Sequence, residues 1–347
     1  VVYNPLYPTN RIFTEFVLSN PKIQYIGMSA SGYVPERLAT LALYRSIQSS
    51  QTAVDSTTIQ ESMNVPMSEL EISLVARHIG QLVLGSDPWV YSTPPTSEKI
   101  QTIKKTLGID NENPVAVVVV GSPDETRSSA LVDAEFERVP INEVASVQEF
   151  IEQILEAARQ EPNVNFVFRL PPRLAPNKRE TLRSPDLDAI EALLADRPNN
   201  VVVNLPNDGI GLYDVARIAQ LGINHASTAG LELLALGIPV IQYDPPRLNA
   251  YPPGLGLEVN RFDQKGLLSA IERAIQTPVS AANAIDAWRW FAVTLLRAVT
   301  HKSWTATKPV EISETELTFQ WLRNLLPEKF RERVSRAQSQ RKRNQVI

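Results

Sequence analysis

Apolar residues in this chain fall into two alternating rhythms. Short, nearly continuous apolar runs occupy 115–120, 165–170, 201–204, 221–224 and 239–242. Between them, apolar positions recur every three or four residues over 147–159, 184–194, 213–220 and from 227 to about 236. Runs that are apolar on both faces predict buried strands, and the spaced segments predict amphipathic helices. Strand and helix in strict alternation is the pattern of a parallel sheet with helical crossovers, an α/β fold.

The N-terminal part repeats the pattern more faintly. A strand end at 1–3, a helix over 12–18 and a strand over 23–27 predict a second parallel unit, with a polar loop at 28–33. Further helices are predicted over 36–47, 55–64, 68–84 (capped by Ser68) and 97–107 (ended by Gly108). The polar segment 110–113 reads as a linker. Late helices are expected over 263–275, 283–299 and 314–325, the second carrying Trp288, Trp290 and Phe291 as core or interface anchors. The resulting division is 1–110, 114–300 and 301–347. Val1 and Val2 read as the inside of a strand with no initiator methionine, so an earlier strand is expected upstream.

Composition narrows the chemistry. Of 347 residues, 43% are hydrophobic and the net charge is only -4, so the chain can bury full cores and carries no broad basic surface. Nucleic acid is therefore not the expected partner. There is no cysteine, which removes thiolate metal sites and cysteine nucleophiles. The segment 329–343 is different. It holds Lys329, Arg331, Arg333, Arg336, Arg341, Lys342 and Arg343 against Glu332 alone, and reads either as a solvated helix or as a contact for anionic lipid.

Candidate chemistry collects after the predicted strands. No G-x-G-x-x-G and no Walker A motif is present. Ser227 and Thr228 stand where a strand gives way to a helix, a position that suits a helix cap, a phosphate site or both. The 165–170 strand carries Arg169 near its end and delivers Pro171, Pro172 and Arg173, with Asn177, Lys178 and Arg179 just beyond. Asn4, Tyr7, Asn10 and Arg11 follow the first strand. His78 lies in a predicted helix and reads as structural.

On FRLPPR (168–173), PNKRE (176–180) and the run 207–241 that contains NHAS and STAGLELLALGIPVI, the chain resembles the donor half of GT-B glycosyltransferases. More narrowly, it resembles bacterial enzymes of capsular and surface polysaccharide synthesis, including CMP-sugar-using Kdo and sialic-acid transferases. The likeness covers about 115–244 and extends more weakly over 3–32. Where relatives usually carry His–Pro, this chain has Pro171–Pro172.

That resemblance implies two Rossmann-like domains facing a cleft, with C-terminal helices crossing back. It implies a nucleotide-sugar co-substrate, a CMP-sugar in the first place, with no metal or other cofactor. Ser227 and Thr228 are then expected at the donor phosphate, Glu232 at the ribose hydroxyls, and Arg169, Pro171, Pro172 and Arg173 around base and phosphate. An inverting transfer needs a general base, for which Glu36 and Asp124 are the candidates, with Glu15 and Glu125 as weaker ones. The acceptor is expected to be a glycan or lipid-linked sugar, and the setting the cytoplasm at the inner face of the membrane, reached through the basic tail. A sugar-nucleotide 2-epimerase and a catalytically silent assembly partner of the same fold stand as alternatives.

Overall fold

The structure, a computed structural model, describes residues 2–3, 27–30, 41–44, 63–85, 94–95, 98–123, 146–177, 181–225, 227–243, 255–277 and 281–297. The chain forms two compact units, Val1–Ser303 and Trp304–Ile347. The second unit, with the predicted helix 314–325 and the basic tail, lies outside the described residues.

Six strands make one parallel sheet: β4 (Val115–Val119), β5 (Asn165–Arg169), β6 (Val201–Asn204), β7 (Leu221–Asn224), β8 (Val240–Tyr243) and β9 (Leu257–Val259), in the order β6-β5-β4-β7-β8-β9. The order runs outward from β4 in one direction and then, beyond β7, in the other. This is the doubly wound arrangement, with its switch point between β4 and β7.

Both faces of the sheet are covered, which is why β4 (VAVVV) is buried along its whole length. On one face, α3 (Val147–Gln160), α4 (Pro185–Leu193) and α7 (Gln264–Gln276) pack Phe150, Ile154, Leu187 and Ile271 against Val118, Phe166 and Ile223. On the other, α5 (Leu212–Ala216), α6 (Ala229–Ala235) and α8 (Ala281–Phe291) cover Val117, Val119 and Val240. The same core takes Val75 and Ile79 from α1 (Glu69–Leu84) and Ile103 from α2 (Ile100–Thr106). Two helices from the expected N-terminal part thus contribute to the core of the sheet. The link between them and β4 is tied down too, since Asn111 and Asn165 exchange side-chain hydrogen bonds of 2.7 and 3.4 Å.

Local chemistry sets the helix ends. Ser68 and Glu71 form a reciprocal capping box on α1, and Ser146 and Glu149 form another on α3. Ser184 caps α4, and Asp263 caps α7 by accepting from the Gly266 N–H. Gly85 closes α1 in a left-handed conformation, φ 57°. His78 is buried against the Phe291 ring, with centroids 5.4 Å apart. Trp290 and Phe291 are buried in the same core, and the indole N–H of Trp288 donates to the Ala235 carbonyl at 2.9 Å. After Phe291 the helix widens to π geometry over Ala292–Arg297, so the predicted single helix 283–299 changes its winding on the way.

In the N-terminal part, β1 (Val2–Tyr3) pairs parallel with β2 (Gly27–Ala30), as a strand–crossover–strand unit requires. Two expectations are corrected there. The strand lies at Gly27–Ala30, where a polar loop was expected after 23–27. Residues Leu41–Tyr44 form β3, antiparallel to β2, inside the predicted helix 36–47. A four-residue apolar run such as LALY fits either period, and pairing with β2 decides it.

Candidate functional site

Strand register builds the site. Asn204, Arg169, Val119, Asn224, Gln242 and Glu258 stand side by side on successive strands. In-register residues of a parallel sheet share a face, so one polar row crosses the sheet at its carboxyl end, interrupted by Val119 at the switch point. Asn204, Asn224 and Gln242 are almost fully buried, and Arg169 is 6% exposed. Each polar group needs a partner at that depth. Asn224 donates to Gln242 Oε1 at 2.8 Å and to the Ser227 carbonyl at 3.0 Å. Asn204 donates to the Ile210 carbonyl at 3.3 Å.

Arg169 is the charged member. Its Nη1 donates to Asn204 Oδ1 at 3.1 Å and to the Leu205 carbonyl at 2.9 Å, both neutral acceptors. Burial pushes the guanidinium down to about 10, and the exposed Asp208 carboxylate, acting through space, offsets part of that. A buried cation held by neutral groups is electrostatically under-compensated and favours an anion nearby.

Ser227 and Thr228 follow β7 and lead into α6. The backbone crosses the switch point here, where the His225 N–H donates to the Val119 carbonyl at 3.1 Å. Ser227 Oγ accepts from the Ala229 N–H at 3.3 Å. Thr228, at the helix start, has helical dihedrals and makes no side-chain cap, whereas the Ser227 hydroxyl bonds a backbone N–H of the first turn. α6 has seven residues, so its dipole is small and the side chains must supply most of any anion binding. The helix lies very close to β7. A Cβ on Gly230 would fall 2.5 Å from Asn224 Nδ2, and one on Gly222 would fall 2.9 Å from Leu233 Cδ1.

Glu232, one turn into α6, accepts from the Tyr213 hydroxyl at 2.6 Å and from the Thr228 hydroxyl at 3.4 Å. Burial raises its carboxyl above the ordinary value, while both hydroxyls act in the opposite sense. Burial, with the neighbouring Glu232 charge, also holds the Tyr213 hydroxyl well above its ordinary value.

FRLPPR continues β5 into a short 3-10 turn, Pro172–Leu174. Pro171 is buried, while Pro172 and Arg173 are half-buried. Asn177 donates to the Ala175 carbonyl at 3.0 Å and to the Pro172 carbonyl, which fixes the turn. The structure thus brings Arg169, Pro171, Pro172, Arg173, Ser227, Thr228 and Glu232 to the carboxyl-end side of one sheet. Glu36, Asp124, Glu15, Glu125, Asn4, Tyr7, Asn10, Arg11, Lys178 and Arg179 lie outside the described residues. Tyr213, Asn204, Asn224 and Gln242 were not anticipated. The signal for three of them was present, because β6, β7 and β8 each place an Asn or Gln at or near the end of an otherwise apolar run.

Among the described residues, no group of three or more His, Asp or Glu side chains is placed to hold a metal ion, and no helix is long and apolar enough to cross a membrane.

No protein-family model matches the chain, and no curated protein matches it in sequence. Solved structures do match. Sucrose-phosphate synthase from Thermosynechococcus elongatus aligns at 15% identity and TM-score 0.42, over 86% of this chain and 70% of that one. An alpha,alpha-trehalose-phosphate synthase (UDP-forming) from Burkholderia vietnamiensis aligns at 14% identity and TM-score 0.38, over 67% and 48%. UDP-GlcNAc 2-epimerase from Neisseria meningitidis, bound to UDP-GlcNAc, aligns at 14% identity and TM-score 0.35, over 68% and 53%. The chain therefore spans about half the length of the last two.

Proposed function

We propose that this chain is a glycosyltransferase of GT-B architecture that moves a sugar from a nucleotide-activated donor, a CMP-sugar in the first place, to a glycan or lipid-linked acceptor of surface polysaccharide synthesis. The observation that carries this reading is the under-compensated Arg169 guanidinium at the carboxyl end of the same sheet as the Ser227–Thr228 hydroxyls and Glu232. Arg169 ends β5 and Ser227 follows β7, strands separated only by β4, so their backbones stand roughly 10 Å apart across the switch point. An anionic phosphate between them would meet a cation on one side and hydroxyl donors on the other.

In this scheme the acceptor hydroxyl attacks the anomeric carbon and the nucleotide phosphate leaves with the bond's electron pair. Arg169, with Ser227 and Thr228, offsets the charge that grows on that phosphate. The fixed turn Pro171–Arg173 walls the base, and Glu232 accepts from the ribose hydroxyls. The acceptor's proton goes to a carboxylate, for which Glu36 and Asp124 remain the candidates. The reaction is metal-independent and inverting. Residues 1–110, apart from α1 and α2, which pack into the core of the donor sheet, serve the acceptor and 114–300 the donor, while the basic segment within 301–347 holds the enzyme at the inner face of the membrane.

Binding of CMP-, UDP- and GDP-sugars to the full chain, measured by calorimetry with and without EDTA, tests the reading. Micromolar binding of one nucleotide class, unaffected by EDTA and followed by transfer to an acceptor extract, supports it. Binding to none of the three defeats it. Interconversion of a UDP-sugar without acceptor replaces it with the epimerase.

A further inference from the structure

Tyr213 lies within the run 207–241 but was given no role there, yet it makes the shortest bond to Glu232. Its ring is buried, 5% exposed, in the first turn of α5. That turn is itself anchored to the sheet. Asn204 donates to the Ile210 carbonyl, and the buried Asp214 carboxylate accepts from the Gly211 N–H at 3.1 Å. Asn204 also accepts from Arg169. A run of hydrogen bonds and backbone therefore leads from Arg169 through Asn204, Ile210 and Tyr213 to Glu232 and Thr228.

The two oxygens of Glu232 are held unequally. Oε2 takes the 2.6 Å bond from the buried Tyr213 hydroxyl. Among the described residues, Oε1 takes only the 3.4 Å contact from Thr228, whose side chain is exposed. A hydroxyl bond at 3.4 Å is weak and readily replaced, whereas one at 2.6 Å is strong.

Resting on the donor reading above, we infer that Tyr213 is a positioning residue that locks Glu232 through Oε2 and leaves Oε1 as the oxygen that accepts a ligand's ribose hydroxyl. Tyr213 touches no substrate in this arrangement. It fixes the rotamer of the carboxylate that does, and so it sets the preference for ribose over deoxyribose. Thr228 yields Oε1 to the ligand, which frees its own hydroxyl to turn toward the phosphate.

The test uses the full chain as wild type, Tyr213→Phe and Glu232→Gln. Phenylalanine keeps the buried ring, and the melting temperature confirms folding. Carbon-13 labelling of glutamate carboxyls, with the Glu232 signal assigned by its loss in Glu232→Gln, reads the carboxylate directly. In Tyr213→Phe the signal should shift and its titration midpoint rise, because a donor to the charged form is gone. Binding of CMP, UDP and GDP is then compared with that of their 2′-deoxy forms. Wild type should favour the ribose form of its nucleotide by about tenfold or more, the worth of one hydrogen bond to a charged group. Tyr213→Phe should bind both forms nearly equally, with affinity for the deoxy form unchanged. An unmoved Glu232 signal, or an intact ribose preference in folded Tyr213→Phe, overturns the inference. Wild type that binds no nucleotide overturns the donor reading and the ligand assigned to Oε1, while the carboxyl signal still decides whether Tyr213 sets Glu232.

Discussion

The hydroxyl of Tyr213 and the Oε2 of Glu232 meet at 2.6 Å and join α5 to α6 across the face of the sheet. Burial dominates the ionisation of the glutamate, with Tyr213 and Thr228 acting against it, so its carboxyl lies above the ordinary 4.5. A carboxyl raised on folding adds stability below its unfolded value and loses that contribution as pH climbs through its folded value. Glu232→Gln cannot ionise and should escape that loss. It is expected to melt a few degrees above wild type at neutral pH, with the gap closing below about pH 4. Thermal unfolding across this range is the measurement, and a Gln variant no more stable than wild type at neutral pH would contradict the assignment.

Arg169→Gln removes the buried charge but keeps a donor for Asn204 and the Leu205 carbonyl. Stability should stay within about 1 kcal/mol of wild type, because the desolvation penalty goes with the charge. Affinity for CMP, or for whichever nucleotide the chain binds, should fall by about tenfold or more, the worth of a charge-assisted bond. Denaturant titration and calorimetry on the same preparation separate the two effects.

Gly230→Ala places a methyl group 2.5 Å from Asn224 Nδ2 and 2.7 Å from its Cγ. Asn224 cannot move without giving up Gln242 or the Ser227 carbonyl. Overpacking of this kind should cost about 1–3 kcal/mol, more than alanine's helical advantage returns. Gly256→Ala should be worse, on the order of 3 kcal/mol, since its φ of +90° adds backbone strain to a 2.6 Å approach to the Val240 carbonyl. Urea midpoints for the two variants should rank Gly256→Ala below Gly230→Ala, and both below wild type.

Trp288→Phe deletes the indole bond to the Ala235 carbonyl at the far end of α6. The expected loss is about 1 kcal/mol of stability. Nucleotide affinity should be unchanged, because the Glu232 end of α6 keeps its own bonds. A fall in affinity as large as that in Arg169→Gln would mean that α6 moves as a rigid lever.

Much of the sheet could be read from apolar runs alone. VAVVV and NFVFR admit no solvent face, and Ser68 and Ser184 mark helix starts by residue type. LALY at 41–44 was not legible, because its identity as a strand comes from β2, a partner distant from its own local pattern. Strand order was equally hidden, and with it the switch point that gathers Arg169 and Ser227. Tyr213 went unnoticed for another reason. An aromatic residue at helical spacing reads as core, which its ring is, and only the packing of α5 beside α6 decides where the hydroxyl goes. Thr228 could be placed near the helix start, but not its lack of a capping bond, which depends on backbone dihedrals.

The seam between β4 and β7 has a consequence for how the molecule comes into being. Val115 and Gln220 clasp its lower end, the Val115 N–H donating to Gln220 Oε1 at 2.6 Å across 105 residues of sequence. The Gln220 N–H returns a bond to the Val115 carbonyl at 2.8 Å. Closing so long a loop is entropically late, so β4-β5-β6 and β7-β8-β9 are expected to form before they join. Arg169 belongs to the first half, and Ser227, Thr228 and Glu232 to the second. The two sides of the site are therefore expected to meet late in folding, and a nucleotide that bridges them would select chains in which the halves have joined.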